Sequence, residues 1–497
     1  MRVANQFPEG EVRNAYRAAA STLRIPYWDW AVAAPFGQNT LPDSVAQPTI
    51  TVITPNGSQI IDNPLYAYTF NPMDSGLYWQ QFLQWPQTLR RPNSTDADAV
   101  TQVDQLLSTL NNQQSSWSQR IYNLFVLDNK YNFMDFSNEI FNPNSDSFQV
   151  DSIESVHNSI HTEIGGPNIG HMGVIDVAAF DPIFWMHHAM VDRCFALWQA
   201  IYPQTYVEPY AQSVPSYWYN VDQVIDEKSN LLPFHSDASG GFWTSDSVRN
   251  VTAFSYTYPE LESGNVKDVI TAINKLYGGQ SFGSFSKDKR QTYSNNDTTS
   301  NAKQYIANVR TKKYALDTSY SIYFFLGKPG SDPSQWPFDS SLVGTMGVMS
   351  TMQSDNLEPV VISGSVPLTK KIHEYVEQGV ISSMDDNVVT AYLKCELQWT
   401  VMMVCQIPPT KTILPHVHRS LRADWRLYRL MALLSTLTTS LVLSSLSSVW
   451  RCSLRLRLIS SLHLLMHRRR IRTLPQGRPE GCLIPLLLIK MMLLPSS

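Results

Sequence analysis

Residues 154–198 read ESVHNSIHTEIGGPNIGHMGVIDVAAFDPIFWMHHAMVDRCFALW, from Glu154 to Trp198, and hold five of the chain's eleven histidines: His157, His161, His171, His187 and His188. His157 and His161 stand four apart, the spacing that puts two side chains on one helix face and lets both imidazoles point at one position. Asp181-Pro182 reads as a helix start, a capping Asp followed by Pro at the first helical position, with the helix running on through FWMHHAMVDRCFALWQ. Adjacent residues on a helix diverge by roughly 100°. One of His187 and His188 can therefore complete a three-imidazole site while the other packs against the core. Phe184, Trp185, Phe195 and Trp198 make this helix apolar, so its imidazoles are expected to be buried, and buried imidazoles need partners.

Three neutral imidazoles without thiolate or carboxylate suit copper, zinc, iron or nickel. A catalytic zinc site is the rival, but HNSIH carries Asn158 where the HExxH zinc proteases place a glutamate base. A buried histidine network with a purely structural role is the alternative that involves no metal.

HNSIH, GHM, AAFDPIFWMHH and VDR together resemble the second copper-binding segment (CuB) of the tyrosinases, and RIPYWDW (24–30) resembles the segment that follows their first copper site (CuA). FSYTYPEL (254–261), FFLGKPGSDPSQWP (324–337) and SGSVPLT (363–369) resemble further landmarks of fungal tyrosinases, so the likeness spans about residues 1–405. It implies a mainly α, helical-bundle copper core followed by a small β-rich C-terminal domain. It also implies His157, His161 and His188 as CuB ligands, with His187 unligated. Phe184 matches an aromatic residue overhanging the copper, where a phenol would stack on His161 or its neighbours. Glu154 and Asn158 match a pair associated with holding a water that deprotonates a monophenol. Met190 stands where the family usually has Asn.

The implied activity is o-hydroxylation of monophenols and oxidation of o-diphenols to o-quinones with O2, the chemistry of melanin-type pigments, carried by two copper ions each held by three histidines. Phenolic or catecholic small molecules and O2 are then the partners. No histidine precedes His157. The CuA histidines of the family lie upstream of YWDW, so the chain is expected to hold the CuB half alone, to derive from a longer protein and to be inactive as it stands. A non-catalytic single-copper remnant and a haemocyanin-like oxygen binder are the other functions considered.

The chain has 497 residues, 43% of them hydrophobic and 11% aromatic, which is a globular composition. Residues 411–497 hold 14 Lys/Arg and only Asp424 and Glu480 as acids, leaving 24 basic against 40 acidic residues in 1–410. An acidic body argues against nucleic acid as a partner. Five scattered cysteines form no disulfide framework, and MRVANQFPEG has no signal-peptide core, so the location is expected to be cytoplasmic or is left open, the N-terminus reading as truncated.

The expected organisation is a copper core over 1–285, a polar linker at 286–304, a β-rich domain at 305–410 that shields the copper pocket in relatives, and an irregular tail at 411–497. Within the core a helix is predicted at 115–125 and a strand at TITVIT beside the Asn56-Gly57 turn. In the β-rich part SYSIYFFLG, EPVVISGSV and VVTAYLKCELQWTVMMV all read as strands. Leu430–Trp450 is uncharged and long enough to span a bilayer, which makes a membrane anchor a weaker candidate reading of the tail.

Overall fold

A computed structural model describes residues 4–73, 80–126, 132–143, 151–212, 216–278, 304–316, 318–351 and 360–403. The expected linker, apart from Gln304, the tail and the candidate span Leu430–Trp450 lie outside the described residues. Among those described, no helix is long and apolar enough to cross a membrane.

The first half is helical. Helix α1 (Glu11–Thr22) buries no residue, whereas α2 (Val103–Val126) is deeply buried. Helix α2 starts well before the predicted 115–125. Leu106, Leu110, Trp117, Ile121 and Leu124 supply its apolar stripe at helical spacing, and the Asn and Gln residues between them obscure that stripe in the sequence. Helix α3 (Ile153–Gly165) is capped by Ser152, whose side chain accepts from the Ser155 N–H, and ends at Gly166, whose positive φ of 68° suits glycine. Helix α4 (Pro182–Ile201) starts as read, with Asp181 accepting from the Ile183 N–H. Its Ile183, Met190, Cys194, Leu197 and Trp198 are fully buried. Helix α5 (Val266–Ile273) lays Val269 and Ile273 into the same core. The predicted TITVIT strand is β1 (Thr49–Thr54), paired antiparallel with β2 (Gly57–Asp62).

Arg193, buried in α4, joins three separate segments. Its guanidinium donates to Asp29 Oδ2 at 3.2 Å, Tyr277 OH at 2.8 Å and Glu260, and lies 4.8 Å from the Tyr27 ring centroid. The PYWDW turn and the YTYPEL segment are thus both partners of the VDR arginine.

The second half is β-rich. Strands β3 (Ile306–Lys312) and β6 (Val361–Pro367) form an antiparallel pair, and β7 (Leu397–Met403), β4 (Tyr320–Leu326) and β5 (Leu342–Val348) form a three-stranded sheet with β4 in the centre. Helices α6 (Thr369–Glu377) and α7 (Asp386–Glu396) accompany them. The strand expected over VVTAYLK is a correction: it is α7, with Val389 and Leu393 buried four apart, and the chain turns to strand only at Leu397. Local β-branched content suggested a strand there, and burial at helical spacing overrode it.

Strand β5 lies directly on α3. A Cβ added at Gly347 would stand 2.6 Å from the Asn158 carbonyl and 2.7 Å from Ser159 Cα, and the Gly347 N–H donates to Ser159 Oγ at 3.0 Å. Beside this contact Arg120 of α2 makes two 2.8 Å bonds to Asp151, both fully buried, and also donates to Ser155 and Ser159, while Ser365 of β6 donates to Asp151 at 2.7 Å. Removing one partner of such a pair strands a buried charge. Arg120→Ala is expected to lower stability by about 3–5 kcal/mol, with part recovered in Arg120→Met/Asp151→Leu. Denaturant unfolding measures this, and a loss under about 1 kcal/mol would contradict it.

Candidate metal centre

Four imidazoles meet where α3 and α4 cross: His157, His161, His187 and His188 each offer one ring nitrogen within 4.8 Å of the others. His157 Nε2 lies 3.2 Å and His161 Nε2 3.4 Å from His188 Nε2. The far side of each α3 ring fixes its tautomer. His157 Nδ1 faces Asn158 Oδ1 at 2.9 Å and His161 Nδ1 faces the Met172 carbonyl at 2.7 Å. Both partners only accept, so each Nδ1 carries the proton and each Nε2 presents a lone pair. His188 Nε2 faces both lone pairs and can donate to only one of them. The pocket is therefore short of an electrophile, and a metal ion would supply it. Copper fits this donor set.

Burial keeps these rings neutral and available. It pulls His157 down to about 4 and His188 to about 3, and holds His161 and His187 well below the ordinary histidine value. His187 is fully buried beside Trp30, its ring lying 4.9 Å from that of His157 at 15°. Phe184 stacks on His188, ring centroids 4.0 Å apart at 26°, and meets His161 edge-on at 5.8 Å. His171 stands apart from the cluster. Its Nδ1 accepts from the Leu89 N–H at 3.0 Å, inside a cage of Phe70, Phe82 and Trp85.

Glu154 and Asn158 both lie behind His157, in a hydrogen-bonded chain that includes two residues no motif pointed to. Asn158 Nδ2 donates to Glu139 Oε2 at 2.9 Å, and the Glu139 N–H donates to Glu154 Oε2 at 2.9 Å. Lys313, from the β-rich half, donates to Glu139 Oε1 at 2.7 Å and lies 3.6 Å from Glu154 Oε1. Burial raises the Glu139 carboxyl to about 7 against the pull of Lys313. Asp192, one turn after His188 on α4, accepts from the Tyr256 and Tyr258 hydroxyls and so ties that helix to the YTYPEL segment. Glu139 and Lys313 sit 174 residues apart with no spacing signal, so only the fold reveals them.

Residues 6–201 match the common central domain of tyrosinase, and residues 304–417 match the tyrosinase C-terminal domain. The chain is 27% identical to a tyrosinase of Neurospora crassa, an alignment covering 81% of this chain and 74% of that one. The chain belongs to the tyrosinase family. A structure of latent and active mushroom tyrosinase superposes with a TM-score of 0.67 at 25% identity, over 81% of this chain and 72% of that one. Haemocyanin 2 of Megathura crenulata is similar over only 38% of this chain, at 27% identity. The mainly α core with a β-rich C-terminal part is the tyrosinase architecture, and the chain is a copper oxidase of that family.

The metal-free chain is expected to lose thermal stability as pH falls from about 6.5 towards about 4. Over that range unfolded histidines take up protons that His157 refuses in the fold. Glu139, which gains its proton near 7 in the folded state, acts in the opposite sense, but it is opposed by His157, His161, His171, His187 and His188 together. Unfolding midpoints recorded across this range check the sign, and a midpoint that rises on acidification would contradict it.

Proposed function

We propose that the chain carries the CuB part of a phenol-oxidising copper enzyme, with His157, His161 and His188 as its copper ligands. The observation that supports this best is the pair of Nε2 lone pairs converging on His188, held by hydrogen bonds behind each ring. The proposed reactions are o-hydroxylation of monophenols and oxidation of o-diphenols to o-quinones with O2. Copper, when bound, supplies the one-electron redox steps and O2 chemistry. The protein's own residues orient and exclude. Phe184, stacked on His188, offers an aromatic wall to an incoming phenol ring, and Asn158 sets the tautomer of His157. Glu154 and Asn158 are proposed to hold a water that takes the phenol proton, with the Glu154 carboxylate as the base behind it. Glu154 is the more accessible of the two, its side chain being about one-third exposed.

Oxidising a catechol to a quinone removes two electrons, whereas one Cu(II) accepts one. With no histidine before His157, the 497-residue chain is proposed to be inactive by itself. Oxygen uptake with L-DOPA by the purified, copper-loaded chain tests this. No uptake above the background of free copper is expected. Rapid uptake by the 497-residue chain would overturn the half-site reading.

A further inference from the structure

We propose that a polar cavity between the helical and β-rich halves binds a small divalent oxyanion of the phosphate or sulfate kind, at a site separate from the imidazole cluster. The cavity measures about 240 Å³ and is walled by α2, by the turn around Asp339 and by the start of α6. Its α2 wall is one helix face, on which Gln113, Ser116 and Gln119 follow one another at intervals of three. All three are buried. Gln113 is 1% exposed, and neither its amide oxygen nor its amide nitrogen has a partner. The Ser116 hydroxyl and the Gln119 amide nitrogen are likewise unpartnered. Buried polar groups left unpaired are costly, so this wall points to an occupant.

The facing wall sets the charge of that occupant. Helix α6 starts at Thr369 behind Leu368, which offers no side-chain cap, and its first turn holds no acid. A helix start presents free N–H groups and partial positive charge, which together favour an anion. Here the first turn carries Lys370 and Lys371, adding positive charge where the helix already has it. Glu374 takes Lys371 at 3.0 Å, whereas Lys370 has no partner among the described residues. Asp339, the other carboxylate on the cavity, is engaged by its own turn. Its Oδ1 accepts from Ser341 and its Oδ2 from the Gly330 N–H at 2.9 Å. Amide, hydroxyl and helix-start donors thus face one uncompensated lysine, a set that suits an ion with acceptor oxygens on every side. A water takes about 30 Å³, so the cavity has room for a tetrahedral oxyanion with part of its hydration. Since α2 belongs to the helical half, and Asp339 and α6 to the β-rich half, the ion would bridge the two.

The test is thermal unfolding of the full 497-residue chain in inorganic phosphate against sodium chloride of equal ionic strength, with isothermal titration of phosphate for affinity. Phosphate is expected to raise the midpoint by about 2 °C or more. Saturation below about 10 mM separates binding at a site from the general stabilising effect of such salts, which grows steadily with concentration. Lys370→Glu, at an exposed position, is expected to weaken phosphate binding by about tenfold or more. Its midpoint in chloride is expected to stay level or rise, because an acid suits a helix start. Gln113→Leu removes the unpartnered amide and is expected to keep the chloride midpoint while losing most of the phosphate response. A wild-type chain with no saturable, phosphate-specific shift would overturn the proposal and leave the cavity to water. An undiminished shift in Lys370→Glu would also overturn it, by placing the ion elsewhere, as on the basic residues of 411–497. That comparison decides the question even if Gln113→Leu does not fold.

Discussion

Two imidazole lone pairs aimed at one point, each fixed by a hydrogen bond on the opposite side of its ring, are the constraint that the surrounding structure serves. A histidine lone pair is directed only while its tautomer is held. Asn158 does this for His157 and the Met172 carbonyl for His161. Asn158 is itself gripped by Glu139, and Glu139 by Lys313. The orientation of a ring in the helical half therefore traces back to a lysine in the β-rich half.

The helices that carry the rings are anchored by buried ion pairs as well as by apolar packing. Arg193 ties α4 to Asp29 and Glu260, and Arg90 takes the helix-capping Asp181 with bonds of 2.7–3.1 Å while also donating to the Val45 and Leu65 carbonyls. Asp181 thus caps α4 and balances a buried guanidinium at once. Pairs of this kind contribute little net stability against apolar replacements, but they tolerate few alternative geometries. That suits a centre whose ring nitrogens must meet within a few tenths of an ångström.

The sequence showed most clearly what depends on short spacing. His157 and His161 four apart, the Asp181-Pro182 helix start and the adjacent His187 and His188 are local patterns, and the structure brings all four imidazoles together. Which residues meet across separate elements has no such signature, as where α3 and α4 cross. Glu139 and Lys313 were invisible for the same reason, being neighbours only across the fold. Strands β3 and β5 drew no prediction, since IANVRTK is half polar and LVGTMGV carries two glycines, both poor strand signals. In β5 those glycines are what the packing requires, as a side chain at Gly347 would collide with α3.

That contact also determines what the two halves share. The apolar cluster of the helices and that of the strands are separate, and the layer between them is built from Ser155, Ser159, Gly347, Gly364 and the Arg120–Asp151 pair. A seam of hydroxyls, glycines and charge exposes little oil when it parts, and water can replace its hydrogen bonds. Each half would keep its own core through such a separation, so cooperativity within either half exceeds cooperativity between them. The ligand-bearing helix α3 lies on that boundary, so loosening of the seam would be felt first on the polar back of the helix whose other face carries His157 and His161.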